Sequence, residues 1–364
     1  MTTIVLSAGG TGGHLFPAQA LAQELTRRGK TIVVMTDARG RQYPTYFPGA
    51  RIEIVPAAAF SDRSRIGLLL APFEIVAGIV VAFFKLLSIR PAAVVGFGGY
   101  PSVPVMLAAC FARFPTAILA PDAVLGRANR LVANYVRVIA GGLPFKRFVP
   151  KDMSKVVYTG NPVRPEVVAF SGAPYETPVP GGELRLLVFG GSQGARALSE
   201  IVPATIAMLS DDLRTRLSIV QQCRPEDLED VRAVYARANV KAELASFFKD
   251  LPARMAWSHL VIGRSGVGTV SELMVIGRPA ILVPLPHALD DNQTPNADAL
   301  VEIGGGWRVA QKELSPEKLA SMLTQAFNAP DDLARRAADA RKLAKPDAAA
   351  RLADLVEKLA GGAA

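Results

Sequence analysis

The chain has 364 residues, half of them hydrophobic and a fifth charged, with 41 Lys and Arg against 32 Asp and Glu for a net charge of +9. This balance excludes a disordered tail protein, and at about 150 residues per domain it predicts two domains, with three as the upper bound. Two cysteines, Cys110 and Cys223, cannot form a disulfide framework and fit a reducing compartment, while the basic excess calls for an anionic partner: phosphate, nucleic acid or an acidic membrane surface.

In chain order, residues 2–9 (TTIVLSAG) read as a strand entering a Gly-rich loop, with no basic n-region and so no signal peptide. Further strand-like runs follow at 31–37, 92–99, 116–119 and 136–142. After a Pro/Gly-rich linker, Ser171–Gly182, the pattern restarts at 184–191, 217–223, 259–266 and 279–284. Helical patterns lie between them, among them Pro17–Arg28, Ala195–Leu209, Pro225–Ala238 and Thr269–Ile276. Near-continuous apolar strands separated by helices predict parallel sheets covered on both faces, and therefore two doubly wound domains. The Ala-rich end, Asp331–Leu359, reads as helix and is free to cross back to the first domain.

One segment needs a membrane test. Ile66–Ile89 is longer than the roughly 20 apolar residues that span a bilayer, but Pro72, Glu74 and Lys85 interrupt it. Glu74 and Lys85 lie about three turns apart and so share one helical face. With Arg63, Arg65 and Arg90 at its ends, the segment suits an interfacial helix on an anionic leaflet. A buried core helix is the alternative, and Ile79 and Phe83, one turn apart, are the pair expected to separate the two readings.

Both halves open with a strand feeding a Gly-rich turn and a helix: Gly9-Gly10-Thr11-Gly12-Gly13-His14 in the first, Gly190-Gly191-Ser192-Gln193-Gly194 in the second. A third turn, Gly96-Phe97-Gly98-Gly99-Tyr100-Pro101, repeats the device. Such turns let backbone N–H groups converge on an anion at a helix N-terminus, although tight strand-to-helix packing also selects glycine. Neither main loop fits Gly-x-Gly-x-x-Gly, but Asp37 is placed like a ribose-binding acid, so a nicotinamide dehydrogenase stays open as a minor reading. No P-loop occurs. Few aromatics and no basic run interleaved with them leave nucleic-acid binding without support.

His14 reads as a general base with an ordinary pKa of about 6.5, or as a helix-capping histidine. His259 reads as structural and His287 as ambiguous. The histidines and cysteines make no zinc spacing, and no Asp-x-Asp occurs, so no metal or other cofactor is expected. Charge on a diphosphate would then fall to helix N-termini and Arg164. In Arg264-Ser265-Gly266-Val267-Gly268-Thr269-Val270-Ser271-Glu272 a Gly-rich turn precedes a carboxylate able to accept both hydroxyls of a ribose, or a Glu merely favoured by the helix dipole. Asn292, Gln293 and Asn296 downstream offer amides suited to sugar hydroxyls.

GGTGGHLFPA (9–18), GFGGYPSVP (96–104), GNPVR (160–164), GGSQGAR (190–196), RSGVGTVSE (264–272) and HALDDNQTPNA (287–297) together resemble the MurG family of bacterial glycosyltransferases, in order over essentially the whole chain. The resemblance implies an α/β GT-B fold, two doubly wound Rossmann-like domains facing across a cleft. The first, 1–163, would take the lipid acceptor and meet the membrane, with a C-terminal helix at about 344–364 packing back on it. The second, 164–343, would bind UDP-GlcNAc. It further implies inverting transfer of GlcNAc to the 4-hydroxyl of undecaprenyl-pyrophosphoryl-MurNAc-pentapeptide (lipid I to lipid II). The setting would be the cytoplasmic face of the plasma membrane, with an anionic surface met through 63–90 and cell-wall synthesis proteins as further partners.

Carried over motif by motif, His14 is the base and Thr11, Gly12 and Gly13 lie beside the donor sugar. Arg164 and Ser192 contact the diphosphate, Val267, Gly268 and Thr269 bracket it, and Glu272 takes the ribose. Phe248 offers backbone atoms to the uracil and Gln293 binds GlcNAc hydroxyls. Gly98, Gly99 and Tyr100 belong to the acceptor side. One departure stands out. Where the family reads His-Glu-Gln-Asn before AVLGRAN (123–129), this chain has Leu119-Ala120-Pro121-Asp122, so the Glu is gone and Asp122 replaces a donor-contacting Asn. A weakened or non-catalytic sugar-nucleotide binder is therefore one rival reading, and a UDP-GlcNAc 2-epimerase of the same layout another.

Overall fold

The computed structural model describes residues 2–9, 12–38, 40, 45–57, 65–191 and 196–362, with backbone alone for 12 and 65–72. Contacts divide the chain into two units, Met1–Arg164 with Lys345–Ala364, and Pro165–Ala344. Arg164, expected with the second domain, is thus the last residue of the first unit before the crossing.

The first unit runs β1 (Thr3–Ser7), α1 (Gly12–Arg27), β2 (Thr31–Thr36), β3 (Arg51–Ile54), α2 (Arg65–Ile89), β4 (Ala93–Gly96), α3 (Ser102–Phe111), β5 (Thr116–Ala120), α4 (Arg127–Val132), β6 (Val138–Gly141) and β7 (Val156–Tyr158). Among the described residues its sheet has the order β3-β2-β1-β4-β5-β6-β7, every pairing parallel. Both faces are covered, and alternate side chains serve opposite layers. Ile4 and Leu6 join Leu21 and Leu25 of α1, whereas Val5 joins Leu86 of α2 and Met106 of α3.

The helix Ala348–Ala360 returns to this unit. Leu352, Ala353, Val356 and Leu359 are buried against the Ile4–Leu25 layer, each large side chain contributing about 1.5–3 kcal/mol. Arg28 reaches Asp354 at 2.5 Å and Glu357 at 2.7 Å, and Lys30 reaches Glu357 at 2.9 Å. These partly exposed ion pairs set the register of the helix more than its stability.

The second unit contains α5 (Pro165–Val168), β8 (Leu184–Phe189), α6 (Arg196–Ala207), α7 (Asp211–Arg216), β9 (Leu217–Gln222), α8 (Leu228–Arg237), β10 (Lys241–Ala245), α9 (Leu251–Trp257), β11 (Leu260–Gly263), α10 (Val267–Ile276), β12 (Ala280–Leu282), α11 (Gln293–Glu302), β13 (Gly306–Arg308), α12 (Pro316–Phe327) and α13 (Pro330–Ala340). Its described strands are again all parallel, in the order β10-β9-β8-β11-β12-β13. In each sheet the strand order reverses at one point: between β1 and β4 in the first, between β8 and β11 in the second. Ligands of open α/β sheets bind outside the carboxyl ends of the strands at such a switch point. The four turns there, after β1, β4, β8 and β11, are those read above as Gly-rich, and the last, Arg264–Gly268, carries the Glu272 motif.

α2 is amphipathic in a way its composition conceals. Ala82 and Leu86 are fully buried, and Ile79 and Phe83 pack against the core layer beneath. Gly78 lies so close to the strand side that a Cβ there would come within 2.2 Å of the Pro56 carbonyl oxygen. Phe73, Val76, Val80, Phe84 and Leu87, spaced three or four apart, form an exposed apolar stripe on the other side. Ile79 and Phe83 are therefore half-buried on the core side of α2. Of the pair named to separate the two readings, both pack toward the core, while Phe73 and Phe84 lie on the exposed stripe. Lys85 is drawn to Glu53 of β3. No helix among the described residues is long and apolar enough to cross a membrane.

Candidate active site

In the first unit the turns after β1 and β4 press together. A Cβ on Gly9 would lie 2.6 Å from Pro101, and one on Gly99 would lie 2.6 Å from the Gly9 carbonyl oxygen. Gly98 and Gly99 also have φ of 84° and 74°, which side-chain-bearing residues rarely adopt. Here close approach of backbone to backbone explains the glycines. The contact seats the His14 ring, in the first turn of α1, over the second turn: a Cβ on Gly98 would sit 3.2 Å from its Cδ2 and Nε2. Burial pushes the imidazole pKa below its ordinary 6.5. His14 is consequently a neutral imidazole at neutral pH, and its Nδ1 has no hydrogen-bond partner among the described residues.

Asn129 completes this corner. Its Nδ2 donates to the Leu119 carbonyl at 2.8 Å, while its buried Oδ1 stands 3.7 Å from the Cβ position of Gly98. No role was assigned to Asn129 from sequence, because an Asn inside a quoted motif carries no chemical signature of its own. Leu119 and Ala120 end β5 as buried apolar side chains on opposite faces of the sheet. They have no polar group to offer a reaction. Tyr100 and Asp122 are half-buried at the ends of β4 and β5. Arg164, the last residue of the first unit before the second begins, has its guanidinium carbon 5.6 Å from the Phe16 ring.

In the second unit the glycines have a different cause. A Cβ on Gly191, Gly266 or Gly268 would meet nothing within 4 Å among the described residues. Packing therefore does not demand glycine there, and backbone N–H groups stay approachable. Gly266 caps α10 with no side-chain hydrogen bond among the described residues, and the first-turn N–H groups at Val267, Gly268 and Thr269 lie at the positive end of the dipole. Glu272 is half-buried, one turn further in.

Arg264, which sequence places in the phosphate motif, is an internal strut. Its guanidinium donates to the carbonyls of Val283 and Pro284 at 3.1 and 3.2 Å and to Gln311 Oε1 at 2.6 Å. Gln293 starts α11, and its Oε1 accepts from Leu285 N–H at 3.0 Å. The Ser265 hydroxyl donates to the Gln293 carbonyl at 2.8 Å, tying the two loops. Phe248 is buried under Arg254, whose guanidinium carbon stands 4.2 Å from the ring centroid, so this residue presents backbone rather than side chain.

Thr11, Ser192 and Arg63 lie outside the described residues, and Gly12 and Gly13 are the first two residues of α1. His259 is structural as read: it is buried, both ring nitrogens face Arg185, and desolvation with that charge lowers its pKa to about 4. No group of three or more His, Cys, Asp or Glu suited to a metal occurs among the described residues.

Two units of this topology, each with its paired turns at the switch point, have the GT-B architecture of nucleotide-sugar glycosyltransferases. The descriptions "Glycosyltransferase family 28 N-terminal domain" and "Glycosyltransferase family 28 C-terminal domain" match residues 4–140 and 185–352. A protein of Chelativorans sp. is 49% identical over 99% of this chain and 96% of its own length, and one of Rhodospirillum centenum is 50% identical over 99% and 95%. Both are named UDP-N-acetylglucosamine--N-acetylmuramyl-(pentapeptide) pyrophosphoryl-undecaprenol N-acetylglucosamine transferase. The crystal structure of Acinetobacter baumannii MurG superposes with a TM-score of 0.82 at 29% identity, covering 98% of this chain and all of that one. The chain belongs to the MurG family of glycosyltransferases. A UDP-GlcNAc 2-epimerase from Neisseria meningitidis, at 13% identity and a TM-score of 0.69, shares the fold alone.

Proposed function

We infer that this chain transfers N-acetylglucosamine from UDP-GlcNAc to the 4-hydroxyl of undecaprenyl-pyrophosphoryl-MurNAc-pentapeptide, with inversion at the anomeric carbon and without a metal ion. The observation that carries the mechanism is His14, a desolvated imidazole in the first turn of α1, seated on the Gly98–Gly99 turn at the switch point. As a neutral base it takes the proton of the acceptor hydroxyl, whose oxygen attacks C1 of the sugar. The departing UDP carries its charge to the N-terminus of α10 at Val267–Thr269, to the turn after β8 and to Arg164, while Glu272 accepts the ribose hydroxyls. Leu119 and Ala120 supply no carboxylic acid at the end of β5, so in this reading His14 is the base, and turnover is what sets it apart from a disabled binder. The apolar stripe of α2, with exposed Arg90 beyond its end, supports docking on the anionic cytoplasmic leaflet, where the lipid acceptor resides.

His14→Ala should leave UDP affinity intact and lower kcat by about 10²–10⁴, while exhaustive EDTA treatment of the parent leaves its rate unchanged. Loss of UDP binding in the variant, or loss of turnover on chelation restored by Mg²⁺, would contradict the assignment.

A further inference from the structure

Gln222 is the last residue of β9, the strand lying between β8 and β10. Its side chain is buried and spans the carboxyl end of the sheet. Gly190 N–H, at the exit of β8, donates to its Oε1 at 3.3 Å, and its Nε2 donates to the Ser246 carbonyl, just past β10, at 3.1 Å. One partner is a donor and the other an acceptor, so the carboxamide fits in a single orientation. Gly190 opens the turn read above as a diphosphate contact, and Ser246 stands two residues before Phe248, on the base side. The base-side turn is fixed a second time, by Cys223 N–H donating to the Ala245 carbonyl at 3.0 Å.

We propose that Gln222 is a positioning residue for the donor, a strap that holds the diphosphate turn in register with the base-side turn so that one nucleotide engages both. The proposal rests on the donor reading of the second unit given above. Removing the strap leaves each turn intact but lets the Gly190 turn drift from the base. The loss should therefore fall on ligands that bridge the two turns and spare those that occupy one.

The test uses the full chain with Gln222→Met, which keeps length and loses both hydrogen bonds, and Gln222→Glu, which can still accept from Gly190 but faces the Ser246 carbonyl with an oxygen. Both are checked for a parental melting profile, and steady-state kinetics with UDP-GlcNAc and the lipid-linked acceptor are joined to calorimetry with UDP and with uridine. The expected result is a donor KM and a UDP Kd raised about tenfold, with acceptor KM and uridine affinity unchanged. The proposal is overturned by a donor KM that stays at the parental value in both variants, by equal weakening of uridine and UDP, or by donor and acceptor KM rising together as a merely structural lesion would make them. If the parent chain itself binds no UDP, the donor reading fails and the strap with it.

Discussion

Replacing Phe73 and Phe84 on α2 with Ser tests the membrane face without touching the core. Their side chains are 72% and 66% exposed. Full burial of a Phe is worth about 1.5–3 kcal/mol, so inserting the exposed part of each into the interfacial region gains roughly 1–2 kcal/mol, or about 2–4 kcal/mol for the pair. The double variant should therefore bind anionic liposomes roughly 30- to 700-fold more weakly than the parent in co-sedimentation, with a melting temperature close to the parent's. Ile79→Ser with Phe83→Ser is the control in the opposite sense. Those side chains pack on the core layer with Leu86, and losing them should lower the melting temperature by many degrees. Exposed Arg90 adds about 1 kcal/mol on an anionic surface, so binding of the parent should weaken with salt. If Phe73→Ser with Phe84→Ser bound liposomes as well as the parent, or the parent ignored anionic lipid, the docking reading would be wrong.

Glu272→Ala, which removes the carboxylate from the first turns of α10, should cost about 1.5–3 kcal/mol of donor binding, roughly 10- to 150-fold, with UDP calorimetry as the measurement. Gly99→Ala forces a Cβ to 2.6 Å from the Gly9 carbonyl oxygen at φ 74°; it should destabilise the fold by about 1–3 kcal/mol in urea unfolding and lower kcat by shifting His14. Burial lowers the His14 pKa, so the imidazole remains the free base until pH falls below its ordinary 6.5; the acid limb of kcat/KM should have its midpoint below that value, and a midpoint above it would exclude His14 as the titrating base.

The buried strands were legible because a parallel sheet covered on both faces turns each into an apolar run, as in Ile4–Leu6 or Leu184–Phe189. The edge strands were not. Arg51–Ile54 and Lys241–Ala245 close their sheets on one side with half-exposed, charge-bearing residues, and Val156–Tyr158 and Gly306–Arg308 are only three residues long, too short for a period to show. α2 misled for a related reason. When nearly every residue is apolar, periodicity cannot say which side faces the core, and Lys85, taken as a marker of the wet face, is in fact held by Glu53 of β3. At the site, glycine turns announced themselves by composition, yet only coordinates separate those closed by packing, Gly9 and Gly99, from those facing open space, Gly191, Gly266 and Gly268. Arg264, which opens the Glu272 motif, received no role from sequence; its carbonyl partners Val283 and Pro284 lie just past β12, out of reach of any local pattern.

The most direct test of the account is turnover by the unmodified chain with radiolabelled UDP-GlcNAc, with and without the undecaprenyl-linked MurNAc-pentapeptide acceptor. The account predicts label moving into the lipid phase as a β-linked disaccharide, with UDP released only when acceptor is present, despite Leu119-Ala120-Pro121-Asp122 at the end of β5. Tight UDP-GlcNAc binding with no transfer, or UDP release that does not depend on acceptor, would contradict it.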